Sequence, residues 1–306
     1  MNYSKDDFHA QLREQLESIN CVGENRLKLI LHVGTPKTGT TSLQSYFDKK
    51  QSRLRRKGIL YPHNLEKLKH PTAPKHHWFE RNLVSENFDY FLENFKNIIA
   101  QVQENTHTII ISSEGIYNYW WDFSDESKEV LGQLSELFDT QVWVWFREPL
   151  GFIESYYKQC IRNPKVRGNP CYGNDLSFEQ MLGIDWFARH LDYQSFVEQC
   201  KSVLRDANVC VFDYQGDVVK EVIEKLNLNT LHDNPTPRQN QSLNNCSLEL
   251  LRTINRFNLS AKDKERLIPH LKEMNAVLSR YEAEPLIDSA SMLQVMSLYR
   301  PAVSLK

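Results

Sequence analysis

Short apolar runs alternate with amphipathic stretches along most of the chain. The apolar runs have the length of strands that are buried on both faces of a sheet, and they comprise residues 27–33, 108–111, 142–146 and 209–212. Apolar positions at helical spacing lie between them, in a stretch from about residue 40 and in 86–105, 125–138, 149–161 and 217–227. This alternation predicts an α/β domain of three layers, with a mostly parallel central sheet flanked by helices.

The two ends of the chain have a helical pattern without strands. Residues 4–19 carry apolar side chains at helical spacing, and a proline-containing break near residue 231 precedes a helical tail. The tail predicts helices near 247–258, 260–281 and 289–299. We therefore expect an N-terminal helix over 1–26, a core over 27–230, and over 231–306 a loop and helical extension packed on the core.

The composition limits the kinds of molecule that the protein is expected to bind. The 306 residues include 37 Lys and Arg against 39 Asp and Glu, so any anion site is local and nucleic acid is not an expected partner. Because the chain has neither an apolar run of about 18 residues nor an apolar leader, we expect no transmembrane segment and a cytoplasmic location. The six cysteines are scattered without a C-x-x-C pair, which favours reduced thiols over metal or redox sites.

A glycine-containing loop follows the first apolar run. Gly34 and Gly39 stand five residues apart between a predicted strand and a predicted helix, where successive backbone N–H groups can bind an anion. The nucleotide-binding Walker pattern requires Lys and then Ser or Thr directly after the second glycine. Thr40 and Thr41 occupy those places here, and Lys37 lies inside the loop. The displaced lysine argues against an ATP site.

The segment Pro36-Lys37-Thr38-Gly39-Thr40-Thr41 resembles the 5′-phosphosulfate loop of sulfotransferases that use 3′-phosphoadenosine 5′-phosphosulfate (PAPS), in particular bacterial carbohydrate-type members. The resemblance covers about residues 27–245 and implies a fold like that of P-loop NTPases. It implies that this loop binds the 5′-phosphosulfate. Lys37 would neutralise charge that develops on the transferred group and on the leaving phosphate oxygen.

The resemblance implies a second phosphate site after the run 142–146. In the family, a strand that ends in Arg with Ser eight residues later holds the 3′-phosphate, and Arg147 and Ser155 match that spacing. A guanidinium offers phosphate a bidentate fork, and a hydroxyl adds one donor. Arg238 lies in a later loop that also resembles the family, where it is either a cofactor or substrate contact or an ordinary loop residue.

Transfer to a hydroxyl also needs a general base. Glu114 follows the run 108–111, at the edge where parallel α/β sheets bind ligands, and the family uses His or Glu there. Histidines of the segment 70–77 are rival bases and raise a weak metal hypothesis. Aromatic residues after Glu114 suit a sugar acceptor or a hydrophobic core: Tyr117, Tyr119, Trp120 and Trp121.

The sequence thus indicates a PAPS-dependent sulfotransferase that acts by in-line displacement on a hydroxyl acceptor, a glycan or glycolipid, with PAP (adenosine 3′,5′-bisphosphate) as product and no metal. Three alternatives stay open. They are a P-loop kinase or NTPase, a sulfotransferase acting on a lipid or small alcohol, and a non-catalytic nucleotide-binding protein.

Overall fold

A computed structural model describes most of the chain: residues 5–36, 38–63, 75–166, 168–205, 207–228, 243–257, 259–278 and 285–302. Its contacts divide the chain into two compact units. The sheet unit comprises residues 1–146, 194–234 and 302–306, and the helical unit comprises residues 147–193 and 235–301. Residues 147–193, which lie inside the core predicted from the sequence, thus cluster with the C-terminal helices.

The sheet unit contains, in the described part of the chain, a five-stranded sheet whose paired strands all run parallel. The strands are β1 (Lys28–His32), β2 (Ile59–Leu60), β3 (Thr108–Ser112), β4 (Asp139–Phe146) and β5 (Asn208–Asp213), in the order β2-β3-β1-β4-β5. This confirms the predicted fold class, and four of the strands are those that the apolar runs predicted. The two-residue strand β2 was not predicted.

The described part of the chain contains fourteen helices, nine of which correspond to predicted ones. Those over residues 78–84, 115–119, 178–182, 185–188 and 193–203 were not predicted. The fourteen helices are α1 (Lys5–Ser18), α2 (Thr40–Arg56), α3 (Trp78–Val84), α4 (Phe88–Ile99), α5 (Gly115–Tyr119), α6 (Asp125–Leu137), α7 (Pro149–Arg162), α8 (Phe178–Leu182), α9 (Asp185–Ala188), α10 (Tyr193–Val203), α11 (Val218–Lys225), α12 (Asn245–Asn255), α13 (Ala261–Leu278) and α14 (Ser289–Leu298). Short 3-10 turns cover Gly23–Asn25, Trp120–Asp122 and Arg189–Leu191.

The core of the sheet unit explains why the strands are so apolar. Alternate strand residues pack with α2 and α11 on one face, among them Ile30, Ile110, Trp143 and Trp145. The residues between them, such as Leu31 and Ile111, are buried as well, so the sheet is covered on both faces. Burial of each such side chain contributes roughly 1.5–3 kcal/mol, which holds β1 rigidly behind the loop that follows it.

The helical unit is built on α7. Helices α12 and α14 both pack against α7, and α13 packs against α12. Lys264 of α13 is buried and donates hydrogen bonds to the carbonyl oxygens of Ile161 and Asn163, both 2.7 Å away, at the end of α7. Within the described ranges, no helix is long and apolar enough to cross a membrane.

Candidate functional site

The glycine-containing loop joins the end of β1 to the start of α2 in the sheet unit. Gly39, the residue before α2, has φ of 80°, a conformation that favours glycine, and a Cβ there would lie 3.1 Å from Cγ1 of Val218. No side chain caps the helix by a hydrogen bond. The N–H of Ser42 donates to the carbonyl oxygen of Gly39 at 2.9 Å. In the first turn of α2, the N–H groups of Thr40 and Thr41 are therefore the ones left for an anion.

The threonines of the loop have different roles. The hydroxyl of Thr35 donates to the carbonyl oxygen of Trp145 at 2.8 Å, and that of Thr38 donates to the carbonyl oxygen of Thr35 at 2.7 Å, which fixes the loop against β4. The hydroxyl of Thr40 is buried but has no hydrogen-bond partner among the described residues. Thr41 is half-buried. The loop therefore offers one buried hydroxyl to a ligand.

Two predicted site residues cannot be placed. Lys37 and Arg238 lie outside the described residues, so their assigned roles stay predictions. Pro36, directly before Lys37, is buried in the turn.

Behind the loop lies a buried polar network that sequence reasoning missed. Nδ1 of His32 is 2.8 Å from the hydroxyl of Ser112, and Gln44 donates to the Ser112 carbonyl oxygen at 3.2 Å. Burial lowers the pKa of His32 to about 3, so the ring is neutral. A Cβ at Gly34 would lie 2.8 Å from Oγ1 of Thr40, so this glycine is needed for the close approach. The signal in the sequence was a histidine within an otherwise apolar run.

The end of β3 lies beside the end of β1. His32 and Ser112 are register partners in neighbouring parallel strands, so β1 and β3 end at the same edge of the sheet. Glu114 follows two residues after Ser112 and is partly exposed. Its Oε1 is 3.8 Å from Nζ of Lys75. The structure thus brings Glu114 to the edge of the sheet at which the glycine-containing loop also begins.

His76, one of the rival bases, has both ring nitrogens engaged. Its Nδ1 accepts from the backbone N–H of Ser112 at 2.9 Å, and its Nε2 donates to the carbonyl oxygen of Pro62 at 2.8 Å. Burial lowers the pKa of His76 to about 4, which keeps it neutral. His76 is therefore a structural residue. His70 lies outside the described residues.

His77 belongs to a second polar cluster, which also includes Glu80 and Ser113. One oxygen of the Glu80 carboxylate is 2.7 Å from Nδ1 of His77, and the other accepts from the Ser113 hydroxyl at 2.7 Å. A Cβ on Gly115 would clash with this carboxylate, so glycine is required there. Sequence reasoning missed Glu80, because nothing in the sequence relates it to Ser113, 33 residues away. Among the described residues, no group of three or more potential ligands could hold a metal ion.

The aromatic residues after Glu114 are largely core. Tyr117 and Trp120 are fully buried and pack on Phe196. Of the two alternatives, the hydrophobic core therefore applies to these two residues, since a buried ring cannot present its face to a ligand. Tyr119 and Trp121 are partly exposed.

The predicted 3′-phosphate residues belong to the helical unit. The carbonyl oxygen of Arg147 accepts from the Tyr193 hydroxyl at 2.9 Å, and the Arg147 side chain is near the first turn of α7. Glu148 caps that turn, because its carboxylate accepts from two backbone N–H groups. Ser155 is half-buried on α7. Arg147 is also half-buried.

Comparisons with known proteins do not assign a family. No family model matches the chain, and no curated protein matches it. One solved structure, described as a molecular and structural characterisation of the PezAT chromosomal toxin–antitoxin system of the human pathogen Streptococcus pneumoniae, aligns over 89% of this chain and 98% of that chain. The alignment has 10% sequence identity and a TM-score of 0.29, which is too low to support an argument about function.

Proposed function

We propose that the chain is a PAPS-dependent sulfotransferase, which transfers the sulfuryl group of PAPS to a hydroxyl acceptor. The acceptor class is a glycan or glycolipid, as the sequence resemblance implies. PAPS supplies the activated sulfuryl group, and the residues of the chain bind it, orient it and remove a proton from the acceptor.

The proposal rests mainly on the polar groups without partners in the loop before α2. The first turn of α2 is uncapped, and the buried Thr40 hydroxyl lacks a partner among the described residues. An unsatisfied buried hydroxyl costs about 1–3 kcal/mol, which supports a ligand that supplies the missing acceptor. The 5′-phosphosulfate carries acceptor oxygens and a negative charge, both of which suit a helix N-terminus. The residues present therefore fit this group.

The other assignments rest on the sequence resemblance. Lys37 would neutralise charge on the transferred group, and Arg147 with Ser155 would bind the 3′-phosphate. Arg238 is a further candidate contact. A 3′-phosphate is what distinguishes PAPS and PAP from ATP and AMP, so ligand selectivity separates this proposal from a P-loop kinase or NTPase.

Thermal unfolding with a panel of nucleotides tests the proposal. We expect PAP and PAPS to raise the Tm, by an amount equivalent to about 2.7 kcal/mol at a hundredfold excess over Kd. We expect ATP with Mg²⁺ and GTP to have little effect. Stabilisation by ATP with Mg²⁺ but not by PAP would overturn the proposal in favour of a kinase. A screen of transfer from ³⁵S-labelled PAPS to glycans, glycolipids and small alcohols would then identify the acceptor.

A further inference from the structure

We infer that His77 is the residue that takes the proton from the acceptor hydroxyl, and that Glu80 positions it. This inference rests on the proposed function, since a proton acceptor is required only if the chain transfers a group to a hydroxyl. It gives to His77 the role that the sequence resemblance gave to Glu114.

The hydrogen bonds of the cluster define the state of the His77 ring. Ser113 donates to one oxygen of the Glu80 carboxylate, and the other oxygen is 2.7 Å from Nδ1 of His77. A carboxylate only accepts, so Nδ1 carries the hydrogen and Nε2 carries the lone pair. No hydrogen bond from a described residue reaches Nε2. The His77 side chain is 28% exposed and that of Glu80 only 4%, so the ring extends from a buried anchor towards solvent.

The Glu80 carboxylate lies in the first turn of α3, where an acidic side chain is favoured, and it is almost fully buried. Removing an ionised carboxylate from water costs several kcal/mol, and a neutral side chain could tether the segment at lower cost. The neighbouring His76 does so, because it joins the same segment to Ser112 and Pro62 while it remains neutral. A base oriented by a buried carboxylate is the arrangement that activates a hydroxyl for attack.

His77 lies beside the segment that carries Glu114, because its Nδ1 is 3.3 Å from the hydroxyl of Ser113. The backbone N–H of His76 donates to the carbonyl oxygen of Ser112 at 3.2 Å, so residues 75–77 run beside residues 112–114. Lys75 lies 3.8 Å from Glu114 at the same edge. Glu114 is therefore ion-paired, whereas Nε2 of His77 is available. The edge is the one on which β1 and the anion loop also end.

The proposed transfer step moves one sulfuryl group and one proton. The acceptor oxygen forms a bond to sulfur while the bond between sulfur and the 5′-phosphate oxygen breaks, and the electron pair leaves with PAP. The hydroxyl proton moves to Nε2, and the imidazolium that forms is stabilised by the Glu80 carboxylate. No other reactant is needed.

The tautomer can be tested without turnover. In protein labelled with ¹⁵N-histidine, the His77 signals are identified by their loss in His77→Asn. In the neutral ring we expect the hydrogen on Nδ1 and the lone pair on Nε2. A neutral ring with its hydrogen on Nε2 would overturn the inference, because Nε2 could then not accept a proton.

Matched substitutions test the catalytic role. His77→Asn keeps a donor near the Nδ1 position, so it preserves the tether to Glu80 and removes Nε2. The readout is PAP release from PAPS with methyl glycosides, methanol or water as acceptor. We expect kcat to fall about 10²–10⁴-fold with PAP affinity unchanged, and imidazole to restore part of the rate of His77→Ala. Glu80→Gln should lower kcat less than His77→Asn does.

Other outcomes separate the inference from the proposed function. A wild-type rate in His77→Asn, together with a loss of about 10²-fold or more in Glu114→Gln, would return the role of base to Glu114. Absence of rescue by imidazole in a folded His77→Ala protein that still binds PAP would also overturn the inference. Failure of the wild-type protein to bind PAP, or to release it from PAPS, would count against the proposed function instead.

Discussion

Thr38 and Thr40 lie two positions apart in the same loop, yet their hydroxyl groups have opposite environments. That of Thr38 donates to the carbonyl oxygen of Thr35, whereas that of Thr40 has no partner among the described residues. Thr40→Val should therefore leave the free energy of unfolding of the unliganded protein unchanged or higher, while PAP binding weakens by about 1.5–3 kcal/mol. Urea denaturation and calorimetric titration with PAP measure the two effects.

Thr38→Val is the matched control for Thr40→Val. It removes a hydrogen bond at 2.7 Å and leaves the carbonyl oxygen of Thr35 with one donor fewer, so the free energy of unfolding should fall by about 1 kcal/mol. Equal effects of the two substitutions on unfolding would show that the Thr40 hydroxyl has a partner in the folded protein.

The Arg147 side chain is predicted to make the protein bind PAP more tightly than AMP. If its guanidinium binds the 3′-phosphate, Arg147→Ala should weaken PAP binding by roughly tenfold to a hundredfold and leave binding of AMP, which lacks that phosphate, almost unchanged. Calorimetric titration of both nucleotides into both proteins measures the difference. Parallel losses for PAP and AMP would remove the 3′-phosphate assignment, and Arg147→Lys would show whether charge alone suffices.

Single site residues could be predicted from the sequence where they belong to a motif with a fixed order along the chain. It identified the loop with Thr40 and placed Glu114 at the edge of the sheet, because both follow strands that apolar runs reveal. It could not find Glu80, since a buried carboxylate on a short helix has no periodic signature. The partnership of Glu80 with Ser113 exists only after the chain has folded.

At the scale of elements, long elements with a regular apolar period were the easiest to predict, although the 11-residue helix α10 was missed. The strand β4 and the helix α2 are long enough for their period to be visible. The two residues of β2 and the seven of α3 are too short to establish a period. α3 is nevertheless the element that carries Glu80. The network of His32, Ser112 and Gln44 was missed although it lies on predicted elements, because its hydrogen bonds join residues far apart in the sequence.

Lys264 provides a test of packing between elements. It is buried in α13 and supplies the hydrogen bond to the carbonyl oxygen of Asn163, while the carbonyl oxygen of Ile161 also accepts from Asn255. Burial lowers the pKa of Lys264 to about 8, so the amine is still mostly charged at neutral pH. Lys264→Met should lower the free energy of unfolding by about 1–3 kcal/mol, because the Asn163 carbonyl loses this donor.

The exposed Lys262, two residues earlier in α13, is the matched control for that measurement. Lys262→Met should change the free energy of unfolding by no more than about 0.5 kcal/mol in urea denaturation. A similar small change for Lys264→Met would show that the ends of α7 and α13 are not held together by this side chain.

At the scale of the whole molecule, stability and the candidate site share the same buried histidines. His32 lies beneath the anion loop and His76 beside the β3 edge, and both contact Ser112. The neutral rings fix two segments of the chain that carry proposed ligand contacts. Conditions that protonate these rings should therefore weaken the fold and the site together.

The pH dependence of stability tests this coupling. Burial lowers the pKa of His76 to about 4 and that of His32 to about 3 in the folded protein, against about 6.5 in an unfolded chain. Between pH 6.5 and those values the unfolded chain binds more protons, so stability is fully present above pH 6.5 and falls as the pH decreases. Each ring contributes a slope of up to about 1.4 kcal/mol per pH unit.

Urea denaturation between pH 7 and 5, a range above the titration of most carboxylates, measures this slope. In His76→Gln the protein is less stable at pH 7, but its slope should be smaller than that of the wild type by up to about 1.4 kcal/mol per unit. The difference in stability between the two proteins should therefore shrink as the pH falls. A constant difference would mean that His76 titrates alike in the folded and unfolded states, so that its ring would not be the neutral link between Pro62 and Ser112.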